Sequence, residues 1–172
     1  MSDSLTNWIQ NKFTTLYESS SNTSGSQVEQ SFDSTFSSTL EVIVNHVPTT
    51  REKLKKGIED RGFAETRSAI EWKDVIEVSG GDNAQEVRWI STYHAHGIVA
   101  GSFAVTRSLK LRIRAGPAQT INYTVFSAKI VQDSSINDGD KRRIIQIFIT
   151  SMVKAAPIHL QNPTESSPED VA

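Results

Sequence analysis

The first apolar positions of the chain recur every three or four residues, which is the period of an amphipathic α-helix. One stripe of this helix consists of Leu5, Trp8, Ile9, Phe13, Leu16 and Tyr17. After the Ser-rich segment 18–27, which predicts a flexible loop, Val28, Phe32 and Phe36 repeat at four-residue spacing. This repeat predicts a short second helix.

The pattern then changes to an alternating one. TLEVIVNHV (39–47) is rich in β-branched residues and predicts a strand. In the following segment, TTREKLKKGIEDRG, Thr49 and Glu52 have the spacing of a capping box, which predicts the start of a third helix. Its buried side and its end are predicted at Leu54, Ile58 and Gly62.

From residue 68 onward the pattern favours antiparallel strands. The segments 68–79 and 86–99 flank the turn sequence GGDN, and further strands are predicted at 108–116, 120–131 and 141–153. The last two carry apolar side chains on both faces. Helices can cover one face of such a sheet, and the other needs a second sheet or a second subunit. We therefore expect an α+β fold and a homodimer formed through the outer sheet face.

Length and charge narrow the class of protein. A chain of 172 residues is most simply one domain, which we place at 1–160, and the Pro- and acid-rich segment 161–172 predicts a disordered tail. With 18 basic and 20 acidic residues the net charge is −2, so an electrostatically driven nucleic-acid partner is not expected. The absence of cysteine excludes disulfide and thiolate chemistry. Without a signal-like start or a membrane-spanning run, we expect a cytoplasmic or nuclear protein with no membrane partner.

The segment FDSTFSSTLEVIVNHVPTTREKLKKGIEDRG (32–62) resembles part of the nuclear-transport-factor-2-like (NTF2-like, SnoaL-like) superfamily, and RRIIQIFITSMV resembles its final strand. The resemblance extends over residues 3–155. It implies a curved, mixed or antiparallel sheet wrapped around helices to form a cone with an internal pocket. It also implies frequent dimerisation, and either cofactor-independent lyases and isomerases or binding and scaffold domains without catalysis. We therefore expect no cofactor.

The segment TYHAHGIV (92–99) presents His94 and His96 on one side of a predicted strand. Such a pair can bind Zn²⁺ or Fe²⁺, but a third ligand is needed, and residues 97–103 contain no acid. No metal site is therefore predicted. Two interpretations stay open: the imidazoles line a pocket, or they act as general acid and base, with Tyr93 as a weaker candidate.

Asp74 is the predicted partner of these histidines. Strict alternation places it on the apolar face of Ile70, Trp72 and Ile76, where a carboxylate must be paired, protonated or solvated. Catalysis and an ordinary salt bridge are both consistent with this position. Two functions follow: binding of a small apolar ligand without catalysis, or an Asp/His lyase or isomerase. The candidate pocket residues are Asp33, Phe36, Trp72, Tyr93 and Tyr123.

Overall fold

The computed structural model describes residues 4–18, 25–63, 65–79, 95–113, 116–136 and 139–156. These residues form three helices on a six-stranded mixed sheet. The helices are α1 (Leu5–Glu18), α2 (Gly25–Thr35) and α3 (Arg51–Phe63). The strands are β1 (Phe36–Val44), β2 (Val47–Thr49), β3 (Glu65–Ser79), β4 (Ala95–Ile113), β5 (Gly116–Gln132) and β6 (Arg142–Ala155). The predicted α+β class is confirmed.

The sheet has the strand order β2-β1-β6-β5-β4-β3. Strands β3 to β6 pair antiparallel, as the sequence predicted, and β1 pairs parallel with β6. This parallel pair makes the sheet mixed, because β6, the last of the six strands in chain order, lies beside β1, the strand that follows α2. No helix in the described part of the chain combines the length and the apolarity of a membrane-spanning segment.

Helix α1 buries the stripe that its sequence predicted. All six apolar positions between Leu5 and Tyr17 are buried. Ser4 caps the helix, since its Oγ accepts the backbone N–H of Asn7 at 3.2 Å. The carboxylate of Glu77 on β3 accepts the N–H of the preceding residue, Thr6, at 2.7 Å. Helix α1 is therefore fixed at its amino end by its own cap and by the sheet.

Three boundaries at or next to α3 differ from the prediction. β1 ends at Val44 instead of continuing to residue 47, because Asn45 and His46 adopt positive φ angles of 49° and 64° and form the turn into β2. The helix cap is Thr50 and not Thr49, since the Thr50 Oγ1 accepts the N–H of Lys53 at 3.3 Å. The helix continues through Gly62 to Phe63. Its predicted buried side is confirmed.

The strands that follow α3 are longer than predicted. β4 is one strand of 19 residues. It joins the end of the predicted strand 86–99 to the predicted strand 108–116, and the residues between them also belong to the strand. The first part of the former segment lies outside the described residues. β4 pairs on both sides, with β3 and β5, and this pairing supports its length.

A group of aromatic rings fills the centre of the cone. The Phe13 ring of α1 lies 5.1–6.3 Å, centroid to centroid, from five other rings. These belong to Tyr17, Phe36, Trp72, Phe103 and Phe126, and so join α1 to four strands. Rings at this separation attract one another beyond their burial alone. The middle of the fold is therefore solid, and open space lies elsewhere.

Candidate functional site

A pocket of about 180 Å³ opens between α3 and the inner face of the sheet. One wall is helical and the other is formed by β1, β2, β5 and β6, while Tyr17 near the end of α1 closes the pocket toward the aromatic rings. The volume is slightly above that of the cavity of about 150 Å³ that holds benzene in another protein. The lining residues are Tyr17, Val44, Thr49, Lys53, Leu54, Gly57, Ile58, Asn122, Thr124, Ile149 and Ser151.

The periodicity of the elements brings these residues together. On α3, Lys53, Leu54, Gly57 and Ile58 are three or four positions apart and share one face. On β5, Asn122 and Thr124 are two apart and point to the inner side, where both are buried. The pairing of β5 with β6 and of β6 with β1 adds their inward residues, which are Ser151, Ile149 and Val44.

Gly57 lies in the middle of α3, where a glycine destabilises a helix relative to alanine. Close packing does not require it, because a Cβ atom added there would meet nothing within 4 Å. The position lines the pocket instead. The lack of a side chain at Gly57 therefore enlarges the pocket at a cost to the helix.

Asn122 is the pocket residue with an unmet hydrogen bond. Only 3% of the residue is exposed, and its Oδ1 is buried with no hydrogen-bond partner in the part of the chain that the structure describes. Such an acceptor is unusual, since buried polar atoms are nearly always paired. Arg107 is also buried and lies on the same inner face, two residues beyond Val105, the register partner of Asn122. The end of the sheet beside the pocket is therefore polar.

The side chains that line the pocket carry little charge. Among the residues that the structure describes, Lys53 is its only charged side chain, and neither a carboxylate nor an imidazole lines it. Within the same residues no three His, Asp or Glu side chains lie close enough to hold a metal ion. The lining offers hydroxyl, amide and ammonium groups on one side and aliphatic carbons on the other, which suits binding of a small, partly polar molecule.

Asp74 does not share the inner face of β3 with Trp72. Between Trp72 and Val75 the register shifts against β4, so that Val75 pairs with Gly101 and the strand carries a bulge. After the bulge Val75 turns inward, while Asp74 is exposed and Ile76 is 66% exposed. The strict alternation behind the predicted face of Asp74 therefore ends at Trp72. Gly101 allows this close approach, since a Cβ there would lie 2.8 Å from the Asp74 carbonyl oxygen.

Of the two predicted histidines, His96 is the second residue of β4, and His94 precedes the strand in the sequence. His94 is outside the described residues, and so is the side chain of His96 on β4. The strand register still sets the distance between Asp74 and His96. Gly97, which follows His96, pairs with Ser79, and Ser79 lies five residues beyond Asp74. Five residues of a strand span roughly 16 Å. The backbones of Asp74 and His96 are thus well separated, and the catalytic roles of all three residues stay predictions.

The predicted pocket residues are dispersed. Asp33 is half-exposed on α2 and forms an ion pair of 2.5 Å with Arg51. Phe36 and Trp72 belong to the central aromatic group, where the Trp72 indole N–H donates to Thr14 Oγ1 at 3.2 Å. Tyr123 is 44% exposed on the outer sheet face, and Tyr93 lies outside the described residues. None of the four described residues lines the pocket beside α3.

One sequence signal pointed to this pocket. In TINYTVFSAKIV the polar residues Asn122 and Thr124 alternate in phase with Phe126 and Ala128, which are all buried. Polar residues at core-facing positions of a strand indicate a cavity or a polar network. Because the opposite face of β5 is also partly apolar, the pattern alone did not decide whether Asn122 or Tyr123 faces inward.

No family model matches the sequence. A comparison with curated proteins likewise gives no match. Solved structures do match. The chain is similar to "Putative Scytalone Dehydratase" from Novosphingobium aromaticivorans, with 10% identity, a TM-score of 0.56 and 93% of each chain covered.

Two further solved structures have the same architecture. An NTF-2 like protein of unknown function from Pseudomonas aeruginosa has 9% identity and a TM-score of 0.51, with 86% of this chain and 97% of that chain covered. A "Putative calcium/calmodulin dependent protein kinase II association domain" from Xanthomonas campestris has 10% identity and a TM-score of 0.50, with 86% and 85% covered. At these identities the similarity concerns the fold. The chain therefore has the cone-shaped NTF2-like fold, as the resemblance of residues 32–62 predicted.

Proposed function

We propose that this protein is an NTF2-like domain that binds a small molecule in the pocket between α3 and the sheet. The observation that supports this most directly is Gly57, a helix-interior glycine with open space where its Cβ would be. An alanine there would improve the helix without a clash. A ligand that uses this space would explain a glycine at this position.

Binding without catalysis is the form of this proposal that the lining favours. Proton-transfer enzymes need a group that titrates near the operating pH at the reacting atom, most often an imidazole or a carboxylate. The described lining contains neither kind of group. A binding site, by contrast, needs only apolar walls and a few convergent polar groups. Leu54, Ile58 and Ile149 provide the walls, and Asn122 and Thr124 provide polar groups.

Matched variants at Gly57 test the proposal. A library of ring-sized fragments is screened against the wild-type protein by ¹H–¹⁵N NMR, and binders are titrated against Gly57→Leu and Gly57→Ala. In a helix the new leucine lies over the preceding turn, where Lys53 and Leu54 line the pocket. We expect hits that perturb Gly57, Thr124 and Ile149 and that weaken at least tenfold in Gly57→Leu but less than threefold in Gly57→Ala. A screen whose hits bind both variants equally would contradict the proposal.

We also propose that the protein forms a homodimer and so can serve as a scaffold. The support is an outer patch on β5 and β6, where large apolar side chains face away from the helices. Exposed apolar patches of this kind mark interaction surfaces. The name of the Xanthomonas campestris structure, an association domain, is consistent with assembly on this fold. The outer patch consists of Tyr123, Val125, Phe148 and Met152.

An alternative is a cofactor-independent lyase or isomerase that uses Asp74, His94 and His96. The observation in its favour is the similarity to a structure that bears the name of a dehydratase. This alternative requires a conformation in which the exposed Asp74 and the histidines meet at a ligand. Turnover of a small substrate that falls on the order of 100-fold in both Asp74→Asn and His96→Ala would support it. Equal turnover in the two variants and the wild type would eliminate it.

A further inference from the structure

The structure places a buried, unsatisfied acceptor on Asn122, a residue that lines the pocket. Among the described residues Asn122 Oδ1 has no hydrogen-bond donor, and Asn122 is nine-tenths buried or more. A carboxamide oxygen that has lost water without gaining a donor raises the free energy of the protein. A hydrogen-bond donor placed at this atom would therefore lower the free energy of the protein.

We infer that the ligand of the pocket is a compact, largely apolar molecule that donates a hydrogen bond, through a hydroxyl or an N–H group, to Asn122 Oδ1. This inference rests on the proposed function and adds the chemical class of the ligand. A carbonyl or ether oxygen in the same place does not meet the need, because it can only accept. A purely hydrocarbon ligand leaves Oδ1 unpaired.

The surroundings of Asn122 define the rest of the ligand. Four aliphatic side chains, those of Val44, Leu54, Ile58 and Ile149, line the same pocket, so an apolar ring or chain gains by leaving water there. A cavity of about 180 Å³ limits the molecule to roughly one substituted ring. The χ2 torsion of asparagine is broad, which allows the amide to turn its oxygen toward the ligand.

Charge in the lining is consistent with a neutral or anionic ligand. Lys53 is the only charged side chain that lines the pocket among the described residues, and it is exposed. A cationic ligand would find no carboxylate in that lining. The donor to Asn122 is therefore expected from a phenol, an alcohol or an amide rather than from an ammonium group.

Phenol and toluene form the matched probe pair, since they have nearly the same size and differ in one donor. Both are titrated into the wild-type protein and into Asn122→Leu, and the dissociation constants are read from amide shifts in ¹H–¹⁵N spectra. The leucine keeps the approximate size of the side chain and removes Oδ1. We expect the preference for phenol over toluene to fall about five- to tenfold in Asn122→Leu.

The side-chain NH₂ signals of Asn122 give a second measurement that needs no variant. They should shift with phenol and hardly move with toluene. If Asn122→Leu does not fold, this difference in the wild type decides the matter. Gly57→Leu serves as the control for location, since both probes should lose binding to it.

The outcomes separate the ligand class from the binding function. If both probes bind in the pocket but the phenol-to-toluene ratio is the same in wild type and Asn122→Leu, the assigned ligand class is wrong and the binding function stands. The ligand class is equally wrong if the two probes move the Asn122 NH₂ signals by the same amount. If neither probe binds, and the fragment screen finds no ligand that Gly57→Leu excludes, the binding function is itself overturned.

Discussion

Asp140 lies between α1 and the start of β6 and accepts hydrogen bonds from both. The Trp8 indole N–H donates to its Oδ2 at 2.6 Å, and the Arg142 guanidinium donates to its Oδ1 at 2.9 Å. Burial raises the pKa of Asp140, but the hydrogen bonds from Arg142 and Trp8 together outweigh it and lower the pKa from 3.8 to about 2. This carboxylate therefore links the amino-terminal helix to the sheet most strongly while it is ionised.

The pH dependence of stability follows from that shift. Because the folded-state pKa lies below the unfolded value, the stabilisation is complete above about pH 4 and is lost as the pH falls through about 2. Asp140 is partly exposed, so we expect on the order of 1 kcal/mol. Urea unfolding at pH 5 and pH 2.5 should show a larger loss for wild type than for Asp140→Asn. The exposed Asp60→Asn variant is the control and should behave as wild type. Equal losses in wild type and Asp140→Asn would contradict this account.

Single residues also show where sequence reasoning reaches its limit. The stripe of α1 was predictable because burial of one helix face follows directly from a 3.6-residue period. The face of β3 on which Asp74 lies was not predictable, because a bulge depends on the partner strand. In that strand Gly101 makes room for the Asp74 carbonyl. A bulge shifts every later side chain of the strand to the other face. That shift also brings Glu77 to the amino end of α1.

At the scale of elements, α3 balances helix stability against pocket volume. Gly57 costs the helix interior up to about 1 kcal/mol relative to alanine, and an added methyl group would meet no atom within 4 Å. We expect Gly57→Ala to raise the free energy of unfolding by about 0.5–1 kcal/mol and the melting temperature by about 1–4 °C. Calorimetry of the two proteins checks this. An unchanged or lower melting temperature would show that the glycine is needed for the fold and not for the pocket.

The pocket itself could not be predicted from separate elements. Its walls come from α1, α3, β1, β2, β5 and β6, so its existence depends on pairings between distant segments. The sequence indicated the α3 face through Leu54 and Ile58, but it contained no sign that Gly57 and Asn122 line the same space. The sequence instead favoured His94 and His96 as site residues, because they are two positions apart on a predicted strand. Their position in space depends on the rest of the fold.

For the whole molecule, the outer patch defines the expected assembly. Tyr123 and Met152 are register partners, while Val125 pairs with Thr150 and Phe148 with Ser127, so the four apolar side chains share one exposed face of β5 and β6. We expect wild-type protein to have twice the monomer mass of 19.0 kDa in light scattering. Replacement of both Val125 and Phe148 by lysine should give the monomer, since two charges cannot be buried in that interface.

Val47→Lys is the control for this experiment, because Val47 is an exposed apolar residue of β2 outside the outer patch. It should leave the dimer intact. A wild-type protein that stays monomeric at concentrations of about 100 μM, where even weak dimers with dissociation constants of a few micromolar are populated, would refute the proposed assembly. The pocket lies on the opposite face of the sheet, so ligand binding should not depend on this result.

The space between α3 and the sheet is expected to hold a ligand, and a crystal structure with 4-bromophenol tests this most directly. The bromine gives an anomalous signal, and the phenol hydroxyl is a donor. We predict a bromine peak in the pocket lined by Gly57, Asn122 and Ile149, and no such peak in crystals of Gly57→Leu grown and soaked in the same way. A pocket that stays empty in wild-type crystals while bromine occupies other surfaces would contradict the account.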